Sequence, residues 1–179
     1  MARKQNKWYV LTGGPSTGKT TLLQQLQALH YSTIPEAARQ IIDEFLARGI
    51  SIESLRADEL KFQAMVAKRK ASLEASVDPQ SITFFERGMH DTLAYVRYYN
   101  FAIDSQLATL LNQAHYSRVF LLEPLDVYHD DYARVEDANF TRQLHQLLYD
   151  AYSEFNMKPI TIPNLPVKDR LNLIISNLD

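Results

Sequence analysis

The run Gly13-Gly14-Pro15-Ser16-Thr17-Gly18-Lys19-Thr20 fits the pattern G-x-x-x-x-G-K-[ST] in full. Its chemistry is phosphate binding. The glycines let the backbone bend until successive N–H groups face phosphate oxygens. A helix that starts there adds the positive end of its dipole. Lys19 supplies charge to the β- and γ-phosphates, and the Thr20 hydroxyl can coordinate Mg²⁺. Thr21 offers a further hydroxyl, one residue out of register. The predicted ligands are ATP or GTP with Mg²⁺.

A phosphate loop of this kind needs a carboxylate close to the metal. Phe84-Phe85-Glu86-Arg87-Gly88 offers one, an apolar run that ends in an acid, a base and a turn. In open parallel sheets ligands gather at the carboxyl ends of strands, which puts Glu86 beside the phosphate loop. Glu86 can serve the metal or take a proton from an attacking hydroxyl, and Arg87 can grip an acceptor or a phosphate. A strand end closed by a plain ion pair is the simpler alternative. Asp91 follows as a second candidate for metal or substrate. Glu36 and Arg39 stand one helical turn apart and can hold a polar acceptor such as a sugar. Tyr95, Tyr98 and Tyr99 read either as a base-stacking wall or as core, and Tyr95 joins Glu36, Arg39 and Asp91 as a substrate candidate.

The loop over 123–136 is long, acidic and rich in tyrosine, as a closing lid would be. Arg134 within it can reach a transferring phosphoryl group, and Glu136 and Asp137 can cap the helix that follows. Lys68-Arg69-Lys70 reads as a solvated helix face.

These residues need a scaffold. Trp8–Thr12 reads as a buried strand, followed by a helix over 18–29, a strand over 31–34 and a helix over 36–48 that ends at Gly49. A longer helix is expected over 54–76, opened by Ser54, then a strand over 81–85 and helices near 91–100 and 104–114. Arg118–Leu122 is a strand. Phe140, Leu144, Leu147, Leu148, Ala151, Tyr152 and Phe155 then share one helical face. A strand over 159–162 and a helix marked by Val167, Leu171, Ile174 and Leu178 complete the chain. Strands alternating with helices predict an α/β fold whose parallel sheet is covered on both faces.

Composition narrows the classes. The 179 residues fit one domain, with no repeat or linker. The net charge of −2 gives no field for nucleic acid. The absence of cysteine excludes disulfides, thiolate zinc sites and a cysteine nucleophile. No stretch approaches ~18 apolar residues, so no membrane span is expected and a cytoplasmic location follows by default. An Asn/Thr-Lys-x-Asp guanine signature is absent, against a Ras-type GTPase. An obvious Walker B Asp-Glu pair and a separate helical lid domain are also missing, against an AAA+ motor.

Thr12–Thr21, Pro35-Glu-Ala-Ala-Arg39, Glu86-Arg-Gly88 with Asp91 and Tyr95, Leu122-Glu-Pro-Leu125 and Arg134-Val-Glu-Asp137 occur in this order. Together they resemble the small AAA-type ATPase domains related to the nicotinamide-riboside kinase domain of the NadR regulator. The Arg134-Val-Glu-Asp stretch and its helix are similar to the post-lid region of thymidylate kinases, and Glu86-Arg87 to the acid–arginine pair of deoxynucleoside kinases. The resemblance implies a three-layer, nucleoside-kinase-like P-loop fold with a five-stranded parallel core. It implies phosphate and Mg²⁺ at Lys19 and Thr20, a strand-end acid at Glu86 partnered by Arg87, and a lid arginine at Arg134. Two positions depart from it: Glu86 stands where many relatives have aspartate, and Tyr132 where glycine precedes the lid arginine. Two functions are expected to compete. One is a kinase that passes the γ-phosphoryl of ATP to a nucleoside-like hydroxyl. The other is a nucleotide-dependent switch that acts on a protein partner of unknown identity.

Overall fold

A computed structural model of the chain describes residues 6–125 and 138–178. Five strands form one sheet: β1 (Trp8–Thr12), β2 (Ser32–Ile34), β3 (Thr83–Glu86), β4 (Arg118–Leu122) and β5 (Ile160–Ile162). Their order is β2-β3-β1-β4-β5, and every neighbouring pair is parallel. Eight helices are seen among the described residues: α1 (Lys19–Ala28), α2 (Ala37–Ala47), α3 (Ile52–Arg56), α4 (Glu59–Ala75), α5 (Met89–Tyr98), α6 (Ser105–Gln113), α7 (Ala138–Ser153) and α8 (Val167–Ser176).

Alternation along the central strand sets the layers, because successive side chains of a strand point to opposite faces. Trp8 and Val10 join the core formed with Met89, Leu93, Leu111, Leu144 and Leu148, which is the face of α4 to α7. Tyr9 and Leu11 join Leu22, Leu26, Phe120 and Ile174, the face of α1 and α8. A third, smaller core of Ala37, Ile41, Ile42, Phe62 and Val66 welds α2 to α4. The central strands β1, β3 and β4 are therefore buried on both sides, while the edge strands β2 and β5 stay partly exposed.

Two expectations are corrected. The helix foreseen over 54–76 is two helices, because the sequence carries two capping side chains there. Ser51 accepts from Ser54 N at 3.2 Å and starts α3, and Asp58 accepts from Lys61 N at 3.0 Å and starts α4. The solvated reading of Lys68-Arg69-Lys70 also fails at its third residue. Phe62, Val66 and Lys70 recur every fourth residue, so Lys70 falls on the inner face of α4, where it is 5% exposed. Arg69 does face outward and pairs with Glu44 at 2.8 Å.

Candidate functional site

The phosphate loop runs from the end of β1 into α1. Gly13 holds φ 143°, a region closed to L side chains, and a Cβ there would meet Leu122 O at 2.8 Å. Lys19 is 3% exposed. Its ammonium donates to Gly14 O at 2.7 Å, Gly13 O at 3.2 Å and Thr17 Oγ1 at 3.3 Å, so it is centred in the loop. Thr17 Oγ1 in turn donates to Gly14 O at 3.0 Å. Gly18 caps α1, and Thr21 lies exposed in the helix's first turn.

Parallel pairing brings the acid to the loop. Leu11 faces Glu86 across the β1–β3 ladder, and Arg87 N extends that ladder by donating to Leu11 O at 3.0 Å. Thr20 Oγ1 then donates to Glu86 Oε1 at 2.7 Å. Burial and then the Glu36 carboxylate push the Glu86 carboxyl up, against Lys19 and Thr20. A hydroxyl and a carboxylate in contact at the phosphate end suit Mg²⁺, which takes one or two protein oxygens and fills the rest of its octahedron with water and phosphate. Among the described residues no cluster of three acidic or histidine side chains offers a closed all-protein cage.

Arg87 is the pivot of the other half of the site. It sits at φ 64°, a conformation uncommon for a non-glycine residue. Its guanidinium donates from Nε to Glu36 Oε1 at 2.9 Å and from one terminal nitrogen to Asp91 Oδ1 at 3.0 Å, and it lies 5.5 Å from the Tyr95 ring centre. Burial pushes the Glu36 carboxyl up, but Arg87, Lys19, Lys70 and Arg39 outweigh it and hold Glu36 below the usual carboxylate range. Glu36 itself stands at the N-cap of α2, at the end of β2.

Asp91 has a different place from the one its sequence position suggested. It is fully buried and committed to the protein: it accepts from Thr12 Oγ1 at 2.7 Å, Arg87 at 3.0 Å, Gly88 N at 3.1 Å and Tyr152 Oη at 2.5 Å. These bonds tie it to Arg87, to the end of β1 and to the start of α5. Two tyrosines that sequence reasoning missed as site residues complete this support. Tyr152 Oη also accepts from Gly88 N at 3.1 Å, and Tyr116 Oη accepts from Met89 N at 2.7 Å while donating to Glu74. The backbone comes so close that a Cβ on Gly88 would meet Tyr152 Oη at 2.7 Å and the Tyr116 ring at 2.8 Å. Tyr152 carried a helical-face signal, which marks burial but not a hydroxyl contact over a distance of 61 residues.

A cleft opens beside the loop, lined among others by Pro15, Glu36, Arg39, Lys70, Arg87 and Tyr95. It gathers three of the four expected substrate residues, all but Asp91. Tyr98 packs edge-on against Phe140 at 4.5 Å, and Tyr99 Oη accepts from Arg56 at 3.2 Å. Lys70 is an addition. Its Nζ donates to Gly88 O at 2.8 Å and Thr92 Oγ1 at 3.1 Å, and burial pushes it down to about 8 against the opposing pull of Asp91, Glu36 and Glu74. Arg170 is a second addition: 3% exposed, it donates to Thr17 O at 2.9 Å and packs on Gly18, which braces the loop from α8. Arg134 and most of the expected lid lie outside the described residues.

The profile of a family described as AAA domain matches residues 8–170. No curated protein matches the sequence. Among solved structures, the NadR protein in complex with NR superposes with a TM-score of 0.70 at 17% identity, over 96% of this chain and 50% of that one. The chain thus spans half the length of that NadR protein. Thymidylate kinase from Ehrlichia chaffeensis superposes with a TM-score of 0.63 at 16% identity, over 97% of this chain and 98% of the other. Deoxyadenosine kinase from M. mycoides gives 0.65 at 13% identity, over 94% and 96%. At these identities the likeness is one of fold, and the fold is that of P-loop nucleoside and nucleotide kinases.

Proposed function

The chain belongs to the AAA domain family, and from that premise we propose that it is a Mg²⁺-dependent kinase that transfers the γ-phosphoryl group of ATP to a nucleoside-like hydroxyl. The observation that carries this reading is the cleft beside Pro15, with Glu36, Arg39, Arg87 and Tyr95 in its walls. A switch that only hydrolyses nucleotide has no use for a carboxylate, two arginines and an aromatic ring lining one cleft beside the loop.

In this reading the loop N–H groups and Lys19 hold the β- and γ-phosphates. Mg²⁺ held near Thr20 and Glu86 neutralises phosphate charge when bound. Glu36 faces the acceptor. Arg87 keeps it ionised, so it can accept the hydroxyl proton as the acceptor oxygen attacks the γ-phosphorus. The bond from that phosphorus to the β–γ bridging oxygen breaks, its electron pair stays on the β-phosphate, and ADP leaves. Glu86 is thereby assigned to the metal side and Glu36 to the acceptor side. Arg134 remains the candidate for charge stabilisation at the transferring group.

The test is ADP release with Mg²⁺ and ATP across a panel of nucleosides that includes nicotinamide riboside. A rise above the basal rate with one acceptor, together with a phosphorylated product, supports the kinase. A rate that no acceptor raises leaves the switch reading in its place.

A further inference from the structure

Tyr152 is fully buried on α7 and is not among the residues that line the cleft. Three hydrogen bonds nevertheless join its hydroxyl to the cleft wall. Tyr152 Oη donates to Asp91 Oδ2 at 2.5 Å, Arg87 donates to Asp91 Oδ1 at 3.0 Å, and Arg87 Nε donates to Glu36 Oε1 at 2.9 Å.

Asp91 takes different donors on its two oxygens. Oδ1 accepts from Thr12 Oγ1 and Arg87, and Oδ2 accepts from Gly88 N and Tyr152 Oη. The torsion that turns an aspartate carboxylate is soft, so donors on Oδ2 set the plane that Oδ1 presents to Arg87. Arg87 serves Asp91 and Glu36 from one rigid, planar group, and a turn of Asp91 is therefore passed on to the Nε–H that Glu36 accepts. Burial and then the Asp91 carboxylate push the Tyr152 hydroxyl well up, so it stays protonated as a donor.

Tyr116 provides the contrast. It is also buried, and its hydroxyl also accepts from a backbone N–H at the start of α5, that of Met89. It donates to Glu74, not to Asp91. Loss of the Tyr152 hydroxyl leaves Gly88 N its bond to Asp91 Oδ2, whereas loss of the Tyr116 hydroxyl takes the acceptor from Met89 N. On structural grounds alone the Tyr116 hydroxyl is the costlier one to remove.

We infer that Tyr152 is a positioning residue for the acceptor side: its hydroxyl, acting through Asp91 and Arg87, holds the Glu36 carboxylate in place. The task of Glu36 rests on the kinase reading, while the relay that holds it stands on the hydrogen bonds alone.

The experiment uses the full chain and two substitutions that each remove only a hydroxyl, Tyr152→Phe and Tyr116→Phe. Urea unfolding gives their stability, and ADP release with Mg²⁺ and ATP over the nucleoside panel gives turnover. The Arg87 Nε–H proton, assigned by its loss in Arg87→Lys, is followed by nuclear magnetic resonance in nitrogen-labelled chain. Tyr152→Phe is expected to lower kcat about tenfold or more with little change in the KM for ATP, and to speed exchange of the Arg87 Nε–H proton with water about tenfold. Tyr116→Phe should show the larger loss of stability and the smaller loss of turnover, with the Arg87 signal kept. Thr12→Val removes a donor to the other oxygen of Asp91 and should speed the same exchange, which gives a reading even if Tyr152→Phe does not fold.

Turnover losses that follow stability in both tyrosine variants overturn the proposal, since two structural hydroxyls would give that order. An Arg87 signal unchanged in Tyr152→Phe, or in Thr12→Val where that variant has to decide, overturns it as well. If no acceptor raises ADP release, the kinase reading falls, and the Arg87 signal still decides the relay.

Discussion

Three carboxylates crowd this site, and their neighbours give each a different task. Glu86 touches Thr20 at 2.7 Å and is pushed up by burial and by Glu36. Glu36 is held down by Arg87 and the nearby cations and faces the cleft. Asp91 is fully buried, held below its usual value by Lys70 and Arg87 against its burial, and fixes Arg87. Glu36→Gln keeps the hydrogen bond to Arg87 but removes the base. Its turnover is expected to fall by about 100-fold or more with nucleotide affinity unchanged. ADP release alongside titration with a fluorescent ATP analogue checks this, and full activity in the variant would return the acceptor side to Glu86.

Element by element, the loop is held from α8 as much as from its own strand. Arg170 spans from α8 to Thr17 O at 2.9 Å and packs against Gly18. Arg170→Met keeps much of the volume but loses a hydrogen bond from a charged donor. Nucleotide affinity is expected to weaken about tenfold. Arg170 is not among the residues that line the cleft, so acceptor affinity should hold; calorimetry with each ligand in turn separates the two. At the start of α4, Asp58 caps the helix that delivers Lys70. Asp58→Ala is expected to cost about 1 kcal/mol in urea unfolding. The periodicity of α4 was legible as helix, but its break at Asp58 was not. A capping side chain and an ordinary helical aspartate look alike until the backbone ahead of it turns.

Across the whole molecule, stability should depend on pH through His90. It is fully buried among the rings of Tyr116, Tyr152 and Phe155, and burial pushes it down to about 4 from 6.5. The sign follows from proton counts: between pH 6.5 and about 4 the unfolded chain binds a proton that the folded chain refuses. Stability is therefore whole above about pH 6.5 and falls as pH drops through that window, by about 3 kcal/mol in all. Glu74 and Glu86, pushed up by burial, work in the opposite direction as they take up protons in the folded state. The comparison that isolates the histidine is His90→Phe. Urea unfolding at pH 7 and pH 4 should show the wild-type chain losing about 3 kcal/mol relative to that variant. Equal losses in both would place the acid sensitivity elsewhere. No helix among the described residues is long and apolar enough to cross a membrane, in line with the hydropathy of the sequence.

Local patterning settled what local forces control. The phosphate loop, its strand and its helix were legible because eight adjacent residues carry the whole signal. The central strands β1, β3 and β4 were legible because doubly buried parallel strands are largely apolar. Glu86 could be placed because strand ends converge on one edge of such a sheet. Tertiary structure decided what depends on residues far apart in the chain. Arg87 reaches Glu36 across 51 residues, Tyr152 reaches Asp91 across 61, and Arg170 reaches Thr17 across 153. Lys70 was hidden for the same reason. Among Lys68, Arg69 and Lys70 only the packing of α4 against α5 selects which charge is taken out of water, and that choice makes one member of an ordinary surface run a wall of the cleft.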